Sequence, residues 1–228
     1  MAIRTTAEVV EIRDETASVY TLIVKTREII PFEAGQFFFI HMERDGQKKA
    51  KAYSVANTPG STTLEFCIKR VEGGYASNKL YTLKKGEVID INGPYGFFVV
   101  KEVKRPVVFL ATGTGIAALR PMIHTIFAQG TKHDVWLFLG VRTQEDILYK
   151  KEFEQMAQKN VNFHFIPVLS KEKWSGAQGH VQQVVWNYVK DQDADYYICG
   201  LFTMVDEARQ MLMMAGIDKE RIHFERYT

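Results

Sequence analysis

The feature that most constrains this chain is a change of rhythm near residue 102. Before it, short runs alternate apolar and polar residues and break at turn residues; from Val107 onward, β-branched apolar runs alternate with stretches of helical period. Short alternating strands in succession pair antiparallel and most often close as a small barrel. Strands separated by helices need right-handed crossovers, which give a parallel sheet covered on both faces. The chain is therefore expected to form two domains: an antiparallel β-barrel over residues 1–102 and an α/β domain with a doubly wound, parallel five-stranded sheet over residues 103–228. A length of 228 residues is close to the size at which a single core divides.

In the first part, strands are expected at residues 8–12, 18–24, 36–40, 50–56, 63–70 and 87–92, with a polar turn at 13–16 and one short helix near 75–83. In the second part, strands are expected at 107–112, 135–139, 161–169, 196–199 and 222–227. Helices fall near 116–129, 151–158, 181–189 and 204–214. An open parallel sheet binds ligands beyond the carboxyl ends of its strands. Residues 112–115, 140–142, 169–171, 199–201 and 225–227 should therefore share one rim.

The clearest candidate on that rim is the junction at which Val107-Val108-Phe109-Leu110-Ala111 meets Thr112-Gly113-Thr114-Gly115-Ile116. A strand that hands over to a helix through glycines aims free N–H groups and the positive helix end at one spot, a natural phosphate seat. Glycine here also suits a tight turn on steric grounds alone, and both readings stand at this point. The second strand closes with Gly140-Val141-Arg142, so the acid that grips a ribose in ordinary dinucleotide sites is missing there.

In the barrel part, Lys51-Ala52-Tyr53-Ser54 places a cation, an aromatic ring and a hydroxyl at one strand end. Lys51 and Tyr53 share a face and Ser54 takes the other. An exposed lysine beside a partly buried tyrosine is the plainer account. Downstream, Gly73-Gly74-Tyr75-Ala76-Ser77 leads into the short helix, either as a second phosphate seat or as a turn capped by Ser77.

Composition excludes several classes. A net charge of +2 argues against nucleic acid as the main partner. Cys67 and Cys199 are the only two cysteines and stand far apart, which removes zinc-ribbon, iron–sulfur and disulfide frameworks. The six histidines are scattered with no i, i+4 pair, so no metal site is expected. No apolar run is long enough to span a membrane and no signal core opens the chain, so a cytoplasmic location is expected. The oligomeric state is not legible.

Taken together, and in this order, these motifs resemble the ferredoxin-NADP reductase superfamily, which includes flavin reductases and the reductase components of bacterial oxygenases. The resemblance covers nearly the whole chain. It implies that Lys51, Ala52, Tyr53 and Ser54 form the flavin motif, with the Tyr53 ring on the flavin, Ser54 near N5 and Lys51 at the pyrophosphate. Ile68, Lys69, Gly74, Tyr75, Ala76 and Ser77 would complete the FAD contacts. Gly113, Thr114, Gly115 and Ile116 would hold the nicotinamide nucleotide, with Cys199, Gly200 and Leu201 beside the nicotinamide. Tyr53, Ser54, Cys199 and Glu225 would then carry hydride transfer, and Tyr227 would cover the other flavin face, with Thr228 overhanging. As plainer accounts, Cys199 is a buried structural thiol and Tyr227 is strand packing.

This chain departs from the family pattern in having Lys51 where arginine is usual, Ala118 where proline is usual, and Leu201 after Cys-Gly. The resemblance implies FAD and NAD(P)H as cofactors. Arg142, Ser170 and Lys171 lean toward NADPH because basic and hydroxyl groups suit a 2′-phosphate. It also implies an electron acceptor, either a protein or a small molecule. The alternative function is a non-catalytic, regulatory flavin- or nucleotide-binding subunit of a larger redox complex.

Overall fold

A computed structural model describes residues 2–190 and 193–227. The chain separates into two compact units. The first runs to Val100 and takes in Arg120–Thr125; the second is Lys101–Leu119 with the chain from Ile126 onward.

The first unit contains β1 (Ile3–Thr16), β2 (Val19–Thr26), β3 (Phe37–Arg44), β4 (Gln47–Ser54), β5 (Thr63–Lys69), α1 (Tyr75–Tyr81) and β6 (Val88–Tyr95). The strands form one antiparallel sheet in the order β4-β3-β6-β1-β2-β5. It curls until its two edges meet: Val55 bridges Phe66, and the Ala56 N–H donates to the Glu65 carbonyl at 2.7 Å. Alternation does the sorting, since Phe38 and Ile40 are wholly buried while Phe37, Phe39 and His41 are partly exposed. The core inside the curl is built from Tyr20, Leu22, Val24, Phe38, Ile40, Phe66 and Ile91.

Two local expectations fail here. The turn expected at residues 13–16 is strand, paired through Asp14↔Tyr20 and Thr16↔Val19. Its polar residues are matched across the pair, because Thr21 Oγ1 donates to Glu15 at 2.7 Å and Arg13 Nε donates to the same carboxylate at 3.1 Å. β4 also starts earlier than expected. Asp45 and Gly46, at φ of 52° and 71°, form the two-residue turn that pairs Arg44 with Gln47. The strand so lengthened lies at an end of the sheet order, and its Lys48, Lys49 and Lys51 are all exposed.

The second unit contains β7 (Val107–Thr112), α2 (Ile116–Ala128, of which residues 120–125 are counted with the first unit), β8 (Val135–Val141) and α3 (Lys150–Lys159). β9 (Phe163–Leu169), β10 (Ala177–Gln178), α4 (Val181–Tyr188), β11 (Asp195–Leu201), α5 (Phe202–Met214) and β12 (Ile222–Tyr227) follow. The sheet is all parallel in the order β10-β9-β8-β7-β11-β12. It has six strands rather than five. The added β10 pairs only Ala177 and Gln178 with Val168 and Leu169, a segment too short to carry a periodic signal. β7 is buried along almost its whole length, as a central strand covered on both faces must be. On one side Val181, Val184 and Val185 of α4 and Met204, Val205, Ala208 and Leu212 of α5 join the core with Val108, Leu110 and Ile198. The chain steps outward from β7 to β10 and then returns to β11 on the other flank of β7. The sheet's switch point therefore lies between β7 and β11.

Candidate functional site

In the first unit the candidate residues gather at the end of β4 and around the start of α1. Tyr53 lies opposite Phe38 and packs, half-buried, against the barrel core. Burial pushes its hydroxyl up to about 12, so it stays neutral at ordinary pH. Ser54 lies opposite Phe37 and is buried, whereas Lys51 and Ala52 are exposed. Ile68 is 2% exposed and sits opposite Tyr20, so its side chain belongs to the core and only its backbone could meet a ligand. Lys69, next to it, is exposed.

The loop into α1 is tied down from several directions. The Val71 N–H donates to Ser77 Oγ at 3.1 Å, and Asn78 Nδ2 donates to the Val71 carbonyl at 2.8 Å. Tyr20, buried in β2, donates its hydroxyl to the Ser77 carbonyl at 2.7 Å. Ser77 thus acts on the loop before the helix and is not a cap of α1. Tyr75 donates its hydroxyl to the Glu43 carbonyl, and the Arg44 guanidinium lies 5.2 Å from its ring centroid. The first turn of α1 carries no acidic residue. A half-buried aromatic face, a buried hydroxyl, exposed Lys51 and Lys69, and a helix start without acid in its first turn, though Glu72 precedes the two glycines, fit a flavin with its diphosphate.

In the second unit the rim forms as its strand ends require. Thr112 closes β7, and Gly113–Gly115 turn once before α2 begins at Ile116, again with no acid in the first turn. This turn is packed backbone to backbone on the exit of β11. A Cβ on Gly115 would stand 2.2 Å from the Cys199 carbonyl oxygen. A Cβ on Gly200, where φ is +142°, would stand 2.1 Å from Thr112 Oγ1. The same Thr112 oxygen accepts from the Leu201 N–H at 3.0 Å. Gly113, Thr114, Gly115, Cys199, Gly200 and Leu201 are therefore one constellation at the switch point. Over Gly113 a side chain would meet nothing within 4 Å, which leaves space above the turn for a phosphate.

Cys199 is fully buried, and burial pushes its thiol well up. The charge of Glu225, its register partner on β12, adds to the shift, while a hydrogen bond with the Tyr227 hydroxyl opposes it. Burial and Glu225 thus favour the neutral thiol over the reactive thiolate. The Leu201 side chain is exposed, and Tyr227 lies opposite it across the ladder. The expected overhang of Thr228 lies outside the described residues.

Arg142, Ser170 and Lys171 meet where β8 and β9 end. The Ser170 N–H donates to the Val141 carbonyl at 3.0 Å and the Lys171 N–H to the Arg142 carbonyl at 3.1 Å, which extends the ladder by two residues. Ser170 Oγ also donates to the Val141 carbonyl, at 3.1 Å. Glu172 takes the Gln144 N–H at 2.8 Å and Gln144 Nε2 at 2.6 Å, bonds that hold its carboxyl below the usual range. Glu172, from the loop after β9, thus lies beside the end of β8 with its carboxylate taken up by Gln144. Gln182, in the first turn of α4, carried no sequence motif and stands out only by its burial. Among the described residues no group of three or more His, Cys, Asp or Glu side chains could hold a metal ion, and no helix is long and apolar enough to cross a membrane.

The curled antiparallel sheet with a flavin-compatible strand end, and the parallel sheet with a nucleotide-compatible switch point, define a flavin- and nicotinamide-nucleotide-binding oxidoreductase. Comparison with known families agrees: the oxidoreductase FAD-binding domain family matches residues 6–100 and the oxidoreductase NAD-binding domain family matches residues 109–210. The chain belongs to the ferredoxin-NADP reductase superfamily. It is 33% identical to ferredoxin–NADP reductase B of Sorangium cellulosum (strain So ce56) over 208 residues, 86% of this chain and 85% of that protein. It is 31% identical over 230 residues to the phenol hydroxylase P5 protein of Acinetobacter pittii (strain PHEA-2), covering 97% of this chain and 65% of that protein. Among solved structures, the cytochrome P450 reductase GcoB of Amycolatopsis superposes with a TM-score of 0.93 at 28% identity, over 100% of this chain and 70% of that one. The chain thus spans about two thirds of the longer of these relatives.

Proposed function

We propose that this protein is an FAD-dependent NAD(P)H oxidoreductase that passes electrons on to a separate acceptor, either a protein such as a ferredoxin, flavodoxin or oxygenase component, or free flavin. FAD, when bound, supplies a ring that takes a hydride and releases electrons onward. The work of the chain is placement. In this reading Tyr53 offers its neutral, half-buried ring as the packing surface for the flavin and Ser54 a hydroxyl near its reactive edge. Lys51, Lys69 and the Gly74–Ser77 loop neutralise the diphosphate. Gly113 to Ile116 hold the nucleotide phosphates, and Cys199 and Gly200 shape the wall beside the nicotinamide. Glu225 stands behind Cys199 and keeps negative charge off the sulfur. Tyr227, bonded to that sulfur, is the aromatic that the family resemblance assigns to the other flavin face.

The observation that carries this proposal is the backbone packing of the Gly113–Gly115 turn on Cys199 and Gly200. It fixes a phosphate-receptive turn and a small-residue wall within one constellation at a switch point. Of the two nucleotides we propose NADPH, because Arg142, Ser170 and Lys171 meet where β8 and β9 end and the acid next to them, Glu172, is already bonded to Gln144. The test is optical. The purified protein should be yellow, should bleach when reduced nucleotide is added without oxygen, and should bleach faster with NADPH than with NADH at equal concentration. A colourless protein that does not take up FAD would overturn the assignment, and faster bleaching with NADH would overturn the nucleotide preference alone.

A further inference from the structure

The candidate flavin residues of the first unit lie where the two ends of its curled sheet part. The ends are joined by the bridge between Val55 and Phe66 and by the Ala56 N–H, which donates to the Glu65 carbonyl. Among the described residues no ladder continues from this seam toward Tyr53 and Ile68. Tyr53 and Ser54 thus stand on the β4 side of an opening, and Ile68, Lys69 and the Gly74–Ser77 loop follow from its β5 side. A ligand that needs both sides at once is sensitive to how far apart the seam holds them.

Arg120, which α2 contributes to the first unit, is bonded to both sides of the seam. Its Nη1 donates to the Ala56 carbonyl at 2.8 Å and to Glu65 Oε2 at 2.9 Å. Ala56 comes two residues after the end of β4, and Glu65 lies on β5. The Arg120 and Glu65 side chains are only 16% and 19% exposed, so salt screens the pair little. Arg13 Nη2 stands 3.9 Å from the same Glu65 oxygen, and Arg13 is itself bonded to Glu15. Asn57 also crosses the seam, since its side chain accepts from the Glu65 N–H at 2.8 Å and donates to the Thr63 carbonyl at 2.9 Å. Arg120 differs from Asn57 in coming from outside the sheet. Its stretch of α2 is seated on the loop before β3, where a Cβ on Gly35 would stand 2.2 Å from Met122 Cε. A largely buried ion pair is weak evidence for stability, because apolar residues of the same size often serve as well or better. What an apolar residue cannot supply is one nitrogen shared between the two edges of the sheet.

We propose that Arg120 is a positioning residue of the flavin site. By holding the Ala56 carbonyl and the Glu65 carboxylate together, it sets the opening across which Tyr53 and Ser54 on one side, and the loop into α1 on the other, grip a single FAD. This rests on the first unit being the flavin site. Arg120 acts through Ala56 and Glu65 and not through a contact with the cofactor. Without it the ring and the diphosphate are no longer both held in register, so the FAD that remains bound has its ring seated differently.

The test uses the full-length protein loaded with FAD. Serial dilution releases FAD, whose fluorescence gives the Kd, and the visible circular dichroism of the bound flavin reports how the ring is seated. Arg120→Met keeps much of the bulk and removes both bonds. It should raise the Kd of FAD about tenfold and alter the visible dichroism of the FAD that stays bound. Both bonds leave from one nitrogen, which an ammonium can replace, so Arg120→Lys should bind FAD within about threefold of the unaltered protein. A merely structural ion pair would instead show a lower Tm with Kd and dichroism unchanged. Should Arg120→Met not fold, Glu65→Gln carries the test; it weakens the hold on one side only and should raise the Kd about threefold with the same change in dichroism. An unchanged Kd in the folded variant, a raised Kd with unchanged dichroism, or an Arg120→Lys variant as weak as Arg120→Met overturns the proposal. If the unaltered protein takes up no FAD, the flavin reading of the first unit fails, and this inference fails with it.

Discussion

Gly115 has room for a hydrogen and nothing more. The atom nearest a Cβ placed there is a backbone oxygen, that of Cys199, so no side-chain rotation can make space. Gly115→Ala should therefore force the turn away from β11, at a cost of about 1–3 kcal/mol or more, seen as a lower denaturation midpoint. If the nucleotide is seated on this turn, its affinity should fall as well. An unchanged midpoint would mean that the two backbones are not in contact. The Gly-Thr-Gly spelling made this junction legible in sequence, because few residues can occupy a turn so close to another chain. Gln182 was illegible for the opposite reason. Nothing about a glutamine near a helix start distinguishes an exposed one from a buried one, and the Glu207 that holds it is brought there by tertiary structure alone. The acid that meets Gln144 was in plain view as part of Ser170-Lys171-Glu172, yet it lies one strand away from where a dinucleotide site usually carries it.

Among the elements, the β3–β4 hairpin shows how a short signal can be lost between louder ones. Asp45-Gly46 is a strong two-residue turn pair, but the lysine-rich start of the strand after it lacks apolar alternation and gives no sign of strand until Ala50. Both turn residues have positive φ, and a Cβ on Gly46 would meet nothing within 4 Å. Gly46→Val should then destabilise purely through backbone strain, by about 1–2 kcal/mol, while Gly46→Asn should be close to neutral because asparagine tolerates this conformation. Equal stability of both variants, measured by chemical denaturation, would argue against the turn. The long, continuously apolar β7 and the periodic α2 and α5 were legible because burial on both faces, or on one helical stripe, writes itself into composition. Two-residue β10 could not be read in this way.

At the scale of the whole molecule, both units bury weak acids whose ionisation is disfavoured in place. Tyr20 and Tyr53 in the first unit, and Tyr197 and Cys199 in the second, are all shifted upward, with burial as the leading cause. A group whose folded value is raised contributes stability that is intact below its unfolded value and is lost as pH rises toward the folded one. The unfolded values are near 9.0 for the thiol and 10.0 for the phenols, so Tm should be flat up to about pH 8.5 and fall between pH 9 and 12. Replacing Tyr20 by Phe should flatten that fall in part, and a Tm unchanged up to pH 11 would contradict the burial of these groups. The change of rhythm near residue 102 was enough to announce a β-rich part and an α/β part, because each class of connection leaves its own period in the sequence. The closure of the first sheet at Val55 and Phe66 left no such period, since it is a single bridge. The far side of that closure has its own consequence. Along most of β4 the backbone has a sheet partner on one flank only, and such an open flank is a template on which a stray strand can dock and start a fibril. Lys48, Lys49 and Lys51 make any self-docking bring like charges together, so this open flank of the first sheet is hostile to its own copies.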